Sequence, residues 1–329
     1  MLLCIAKANK GEAFMYYVGI DIGGMTIKAG LVNEKGEILA KTSCETRPER
    51  HYSLLVKDMY NMCGQLANEA KISLGDIKGI GMGSPGTVNS DKGVISYAAN
   101  LNFKNVNIIK EFSTHTKIPC YVNNDANCAA LGEAKFGVGK GAQNAILITL
   151  GTGVGTGFIV DGKILEGRGG AGAEGGHICI RMGGEKCTCG ERGCWEAYAS
   201  ATALIRMTEK AMAKDPLSLM HKLAAENGRV SGRTAFMAYH AGDKSGEKVV
   251  MQYVKNVAAG VITLVNIFRP DIFMIGGGVS HEGDYFIKMI EKRVRRHAFG
   301  GRINKVCPIV KASLGNDAGI VGAAALCME

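Results

Sequence analysis

The chain has 329 residues, 47% of them hydrophobic, with 39 basic and 30 acidic side chains and a formal net charge of +9. That length supports two packed domains, and the 46 glycines gather in a few loops rather than in a low-complexity tract. Basic residues are dispersed, and the one dense run, Arg293 to Lys305, reads as a solvated helix face and its exit loop, not as a nucleic-acid footprint.

Eleven cysteines, an odd number, and no signal-peptide core in Met1 to Phe14 argue against a disulfide scaffold and for a cytoplasmic protein. Residues 1–15 read as an extension or a misassigned start, with Met15 as the alternative initiator. Cys4, Cys44, Cys63, Cys120, Cys128, Cys179, Cys307 and Cys327 are expected to be small buried side chains. The uncharged run from Gly141 to Val160 holds too many glycines and threonines for a membrane helix.

In chain order, Tyr17 to Asp21 is an apolar strand, Ile22 to Lys28 turns into a second through Val32, and Ile38 to Thr42 is a third. A helix follows over about 52–71, with Leu55, Met59, Met62 and Leu66 on one face. Ile77 to Ser84 is strand, and a loop-rich segment carries Asn100 and Leu101. Strand Pro119 to Asn123 then runs into a helix that ends near Phe136. The order recurs with strand Ala145 to Leu150, the glycine turn Gly151 to Gly157, and strands Phe158 to Val160 and Lys163 to Leu165. A helical insertion, about Trp195 to Ala241, interrupts the second copy. A long helix from Gly246 to Phe268, strand Ile272 to Ile275, a further helix, strand Val306 to Val310 and a last helix after Asn316 complete it. Such repetition predicts an internal duplication of α/β lobes, whose facing copies would bring both glycine turns to one cleft.

Neither turn is a Walker loop or a dinucleotide fingerprint. Their backbone N–H groups can still cradle anions, with hydroxyls from Thr152 and Thr156 in the second. A different chemistry marks Glu174 to Glu196, where His177, Cys187, Cys189 and Cys194 form a Cys3His set in glycine-rich knuckles. That spacing predicts a structural zinc site, against buried thiols or a redox pair. Glu174 and Glu196, interleaved with these ligands, suggest a rigid wall for a polyol. Asp125 opens a helix directly after a strand, which suits either a helix cap or a general base.

The run E-x-G-H followed by C-x-C-G-x-x-G-C-x-E resembles the signature of the ROK family of bacterial sugar kinases and related repressors, and the likeness extends over nearly all the chain after residue 15. It implies a two-lobed actin-like ATPase fold, ribonuclease H-like and of hexokinase type, with duplicated βββαβαβα lobes about a central cleft. On that plan residues 16–123 with 313–329 form the small lobe and 124–312 the large one. By the same resemblance Asp21, Gly23, Gly24, Thr26 and Lys28 form the first phosphate motif, with Asp21 near Mg²⁺. Gly151, Thr152, Gly153 and Gly155 form the second, and Gly277 and Gly278 belong to the adenosine segment. Asp125, in an N-D-A-N motif, becomes the base that takes the proton of a sugar 6-hydroxyl. Pro85, Gly86, Asn100, Asn124, Glu174, His177 and Glu196 join it as sugar contacts, and His177 serves zinc as well. Met25 stands where the family usually has threonine. The expected protein is an ATP- and Mg²⁺-dependent hexose kinase with a structural Zn²⁺, a cytoplasmic homodimer binding neither nucleic acid nor membrane. Glucose is the expected sugar, with other hexoses, N-acetylhexosamines or a repressor role as alternatives.

Overall fold

The computed structural model describes residues 15–328, so the expected extension up to Phe14, with Cys4, lies outside the described residues. Two compact units form. One comprises the chain up to Gln143, Gly157–Ala173 and the chain from Leu314 onward; the other comprises Asn144–Thr156 and Glu174–Ser313.

In the first unit β1 (Tyr16–Ile22), β2 (Thr26–Asn33) and β3 (Ile38–Glu45) form an antiparallel meander. Asn33 closes its second turn, its Oδ1 accepting from the N–H groups of Lys35 and Glu37 at 3.0 and 2.9 Å. Helix α1 (Tyr52–Ala70) buries the expected Leu55, Met59, Met62 and Leu66, and Lys71 ends it in the left-handed conformation. β4 (Ile77–Ser84) then pairs parallel with β1. The segment expected to be loop-rich is instead a small antiparallel sheet of β5 (Thr87–Asn89), β6 (Val94–Ala98) and β7 (Phe103–Asn107). A short α2 (Ile108–Phe112) leads to β8 (Cys120–Asn124), parallel to β4, and α3 (Asp125–Lys135) follows without a loop.

β9 (Ala145–Leu150), β10 (Val154–Val160) and β11 (Lys163–Ile164) repeat the opening pattern. The stretch weighed against a membrane helix is therefore sheet. Helices α4 (Glu196–Ala199), α5 (Ala201–Met212), α6 (Leu219–Glu226) and α7 (Thr234–His240) make up the insertion. Helix α8 (Lys244–Phe268) is 25 residues long and apolar, and it buries Val250, Tyr253, Val257, Val261 and Val265 against neighbouring helices. Then come β12 (Ile272–Gly276), α9 (Asp284–His297) and β13 (Ile309–Lys311). The last strand starts later than expected because Pro308, which has no N–H to give a ladder, only accepts, from Phe273 N–H at 3.0 Å.

Strand orders β3-β2-β1-β4-β8 and β11-β10-β9-β12-β13 are the same arrangement written twice, which is what the duplication predicts. The final helix α10 (Ala318–Ala325) packs on the first unit, as expected, and the contact is unusually close. A Cβ at Gly19 would overlap the Ile320 carbonyl oxygen, one at Gly81 that of Ala323, and one at Gly322 that of Cys128. Where a helix lies against main chain in this way, only glycine fits.

That packing moves the expected boundary. A split after Asn123 assigned Asp125 to the large lobe, yet α3 lies against α10, with the Cβ position of Gly132 2.9 Å from the Ala318 carbonyl oxygen. Asp125 therefore stays in the first unit, as do Gly157–Ala173.

Candidate functional site

The first glycine turn joins β1 to β2. Gly23 N–H donates to Thr26 O at 3.1 Å, and the buried Thr46 ties the turn to the end of β3. Its hydroxyl donates to Gly23 O at 2.6 Å and its N–H to Met25 O at 3.0 Å. Asp21, the penultimate residue of β1, pairs opposite Lys28 on β2 and packs against Gly319 of α10. Burial pushes its carboxyl above the usual range, and the Lys28 charge partly offsets this. A cavity of about 330 Å³ beside the turn is lined by Thr26, Lys28 and the Lys41–Asp317 ion pair, among others. Gly24 packs against the Asn100 side chain, while Met25 is 84% exposed.

In the second turn Gly151 N–H donates to Gly153 O at 3.0 Å, and Thr152 is exposed. Thr156, expected to offer its hydroxyl to phosphate, is buried instead, and its Oγ1 accepts from Gly175 N–H at 2.9 Å. It faces inward because the β10 pleat puts it on the side that carries the Glu174 to His177 segment. Gly277 (φ +80°) fits closely against Leu150 at the start of the turn, and Gly278 borders open space.

At the end of β8 the helix cap is Asn124. Its Oδ1 accepts from the N–H groups of Ala126 and Asn127 at 2.9 and 3.3 Å, and its Nδ2 donates to Gly86 O at 3.0 Å. The capping role weighed for Asp125 thus falls to its neighbour. The half-buried Asp125 occupies the first helical position, where its Oδ1 accepts from Ala126 N–H at 2.8 Å. Gly86 (φ +85°), beside Pro85, sits where any Cβ would strike the Tyr97 carbonyl oxygen.

Behind this end of α3, Asn123 Oδ1 accepts from Asn127 Nδ2 at 3.0 Å, and Asn123 Nδ2 donates to Glu166 Oε1 at 2.8 Å. The second oxygen of Glu166 accepts from the Ser90 hydroxyl. Glu166 carried no sequence signal. The four-residue spacing of Asn123 and Asn127 across the N-D-A-N motif could have suggested a pair on one side of the helix start.

The cysteine knuckle is folded by its own main chain. Cys187 N–H donates to Glu191 O at 2.8 Å, Gly193 N–H to Glu185 O at 2.9 Å, and Gly190 and Gly193 take φ values of +100° and +89°. Trp195 anchors it: the ring is fully buried over Gly260 and its Nε1 donates to Asn256 O at 3.0 Å. Ligand atoms of His177, Cys187, Cys189 and Cys194 lie within 4.8 Å of one another. His177 Nδ1 is 3.7 Å from Cys187 Sγ, and the Cys189 and Cys194 sulfurs are 3.6 Å apart. A tetrahedral zinc with Zn–S of about 2.3 Å holds its ligand atoms about 3.6–3.8 Å apart, so the set is consistent with that ion. Cys179, expected buried, is exposed at the knuckle's edge, whereas Cys63 and Cys128 are buried and Cys44, Cys120, Cys307 and Cys327 are half-buried.

Glu174 and Glu196 flank the knuckle. Although Glu174 reaches the surface, the protein around it raises its pKa, first through lost hydration and then through the Glu196 charge, with His177 acting the other way. Glu196 is held on both oxygens: Oε1 accepts from Thr188 Oγ1 at 2.8 Å, and Oε2 from Val154 N–H at 3.0 Å.

The sequence profile of the ROK family matches residues 17–329, and the chain belongs to that family. A glucokinase of Halalkalibacterium halodurans is 36% identical over 308 residues, 93% of each chain. A xylose repressor of Caldicellulosiruptor bescii is 27% identical over 86% of this chain and 70% of its own length. Among solved structures, a ROK family glucokinase from Streptomyces griseus, in complex with glucose and AMPPNP, superposes with a TM-score of 0.80 at 33% identity, over 94% of this chain and 98% of that one. The α/β fold with two mixed five-stranded sheets is the two-lobed fold of those ROK glucokinases.

Proposed function

We propose that the protein is an ATP-dependent hexose kinase that phosphorylates the 6-hydroxyl of glucose, with Asp125 as general base. One observation carries the reading: Asn124 caps the helix, and the Asp125 carboxylate is held at its first turn, accepting from Ala126 N–H at 2.8 Å. A base must hold one geometry through the reaction, and the Asn123–Asn127–Glu166 network behind it serves that end.

In the reaction the sugar 6-oxygen forms its bond to the γ-phosphorus while the bond to the bridging oxygen breaks, and the hydroxyl proton goes to Asp125. Magnesium, when bound with ATP, supplies neutralising charge at the phosphates. The N–H groups of the two glycine turns, with Thr26, Lys28 and Thr152, orient those phosphates, and Asp21 would help hold the magnesium. Gly277 and Gly278 border the adenosine. Pro85, Gly86, Asn100, Asn124, Glu174, His177 and Glu196 hold the remaining sugar hydroxyls. His177, Cys187, Cys189 and Cys194 would hold zinc, which stiffens the wall carrying Glu174 and Glu196. Glucose as the sugar rests on the names of the relatives, glucokinases at 36% identity, and on the complex of the Streptomyces griseus enzyme with glucose and AMPPNP. A cytoplasmic homodimer completes the proposal, and a monomer by light scattering would remove its last part.

The test is ADP release across a panel of hexoses and N-acetylhexosamines. Glucose should give the highest kcat/KM, and a different preferred sugar would replace that assignment. Asp125→Asn should lower kcat by about 10²–10⁴ while glucose still binds. Appreciable turnover in that variant removes Asp125 from the base role. The repressor relative supports a second reading, a sugar-sensing regulator. Sugar binding without ADP release from any substrate would favour it.

A further inference from the structure

The second glycine turn is tied to one short stretch of chain that continues directly from the cysteine knuckle. Cys194 is followed by Trp195 and Glu196, whose Oε2 accepts from Val154 N–H at 3.0 Å. Five residues on, Ala201 N–H donates to Gly151 O at 2.8 Å, and then Thr202 Oγ1 donates to Thr152 O at 2.9 Å. Glu196 reaches back to the knuckle as well, accepting on its other oxygen from Thr188, which lies between Cys187 and Cys189. A Cβ at Gly153 would overlap Glu196 Oε2, so a side chain there would displace that carboxylate from the turn.

These ties decide which way the peptides of the turn face. In a trans peptide the C=O and the next N–H point in opposite directions, and every peptide among the described residues is trans. With the Gly151 and Thr152 carbonyls drawn toward residues 201 and 202, the N–H groups of Thr152 and Gly153 point away from that segment. Were either peptide to rotate, a carbonyl oxygen would replace an N–H in the cradle and repel the phosphate it should attract.

We propose that Thr202 is a positioning residue for nucleotide phosphate, and that Glu196 with residues 201–202 joins the cysteine knuckle to the phosphate turn as one rigid piece. Metal at the four ligands is then felt at the nucleotide as well as at the sugar. This rests on the kinase reading above.

Thr202 is exposed, so its replacement leaves the core intact. The experiment is calorimetric titration of Mg²⁺-AMPPNP into sugar-free Thr202→Val and Thr202→Ser proteins, with zinc content, Tm and glucose affinity measured on each. Thr202→Val should bind the analogue about fivefold more weakly, the size of one lost hydrogen bond, with the other three readings unchanged. Thr202→Ser, which keeps the hydroxyl, should restore parental affinity. Chelator-treated parent protein should also lose affinity for the analogue. Unchanged nucleotide affinity in Thr202→Val overturns the proposal, and so does a parallel fall in glucose affinity and Tm that serine does not rescue. No analogue binding by the parent protein would instead overturn the kinase reading itself.

Discussion

The two glycine turns occupy the same place in two copies of one topology, yet they are supported differently. The first is held by the end of β3 and by the final helix of the first unit. Thr46, at the end of the adjoining strand, fixes the Gly23 and Met25 carbonyls, and α10 presses on Gly19 and Asp21 from behind. The second is held by a segment more than forty residues further along the chain, next to a candidate metal site. Between β11 and α8 the second copy carries the knuckle and four extra helices, whereas the first passes from β3 to α1 in a few residues. Duplication therefore preserved the strands and the turn, while the means of fixing the turn followed the insertion.

The largest break in that comparison should come from Gly322→Ala. A methyl group there overlaps the Cys128 carbonyl oxygen, and since what it meets is main chain no flexible side chain can yield. A destabilisation of about 3 kcal/mol or more is expected, at the upper end of overpacking. Hydrogen exchange should show lost protection in β1, β4 and α3, with the second unit and its metal content preserved. Equal loss of protection in both units would mean that the two turns share one support.

Much of this architecture was legible in the sequence because its signals are local. Glycine turns between apolar runs marked the repeated strands, and the knuckle spacing marked the ligand set. Strands β5 to β7 were not legible: each has three to five residues, and runs such as Thr87-Val-Asn89 are too short to show alternation. Asn124 and Asp125 stand next to each other and either can cap a helix, so only the hydrogen bonds separate their tasks. The outward hydroxyl expected at Thr156 failed because the sequence does not reveal which face of β10 is turned inward. The ties from Glu196, Ala201 and Thr202 join segments too far apart in the chain for any spacing rule to pair them.

A smaller effect should expose how the first turn stores its charge. Burial raises the pKa of Asp21 above its unfolded value, so the folded chain binds this proton more tightly than the unfolded chain. Stability from this group is then greatest at acid pH and falls as pH rises through the folded pKa, leaving the ionised carboxylate as a net cost at neutrality. Asp21→Asn should raise the Tm of nucleotide-free protein at pH 7, and the gain should shrink as pH falls through that range. Magnesium-dependent nucleotide binding should weaken in the same variant. A lower Tm at pH 7 would mean that the Lys28 charge outweighs the lost hydration.

The finest adjustment concerns Met25. Its side chain is 84% exposed, so nothing in the fold depends on it, and a shorter residue leaves no cavity. In the second turn the exposed Thr152 offers a hydroxyl beside the backbone N–H groups, whereas Met25 gives the first turn none. Met25→Thr makes the two turns more alike and should tighten Mg²⁺-AMPPNP binding by about fivefold, one neutral hydrogen bond, with Tm unchanged. Thr26 is the competing explanation, since a hydroxyl already stands one residue away at the start of β2. If Met25→Thr leaves affinity unchanged while Thr26→Val lowers it, the hydroxyl of the first cradle has moved by one residue, and the two turns are equivalent in chemistry despite their different supports.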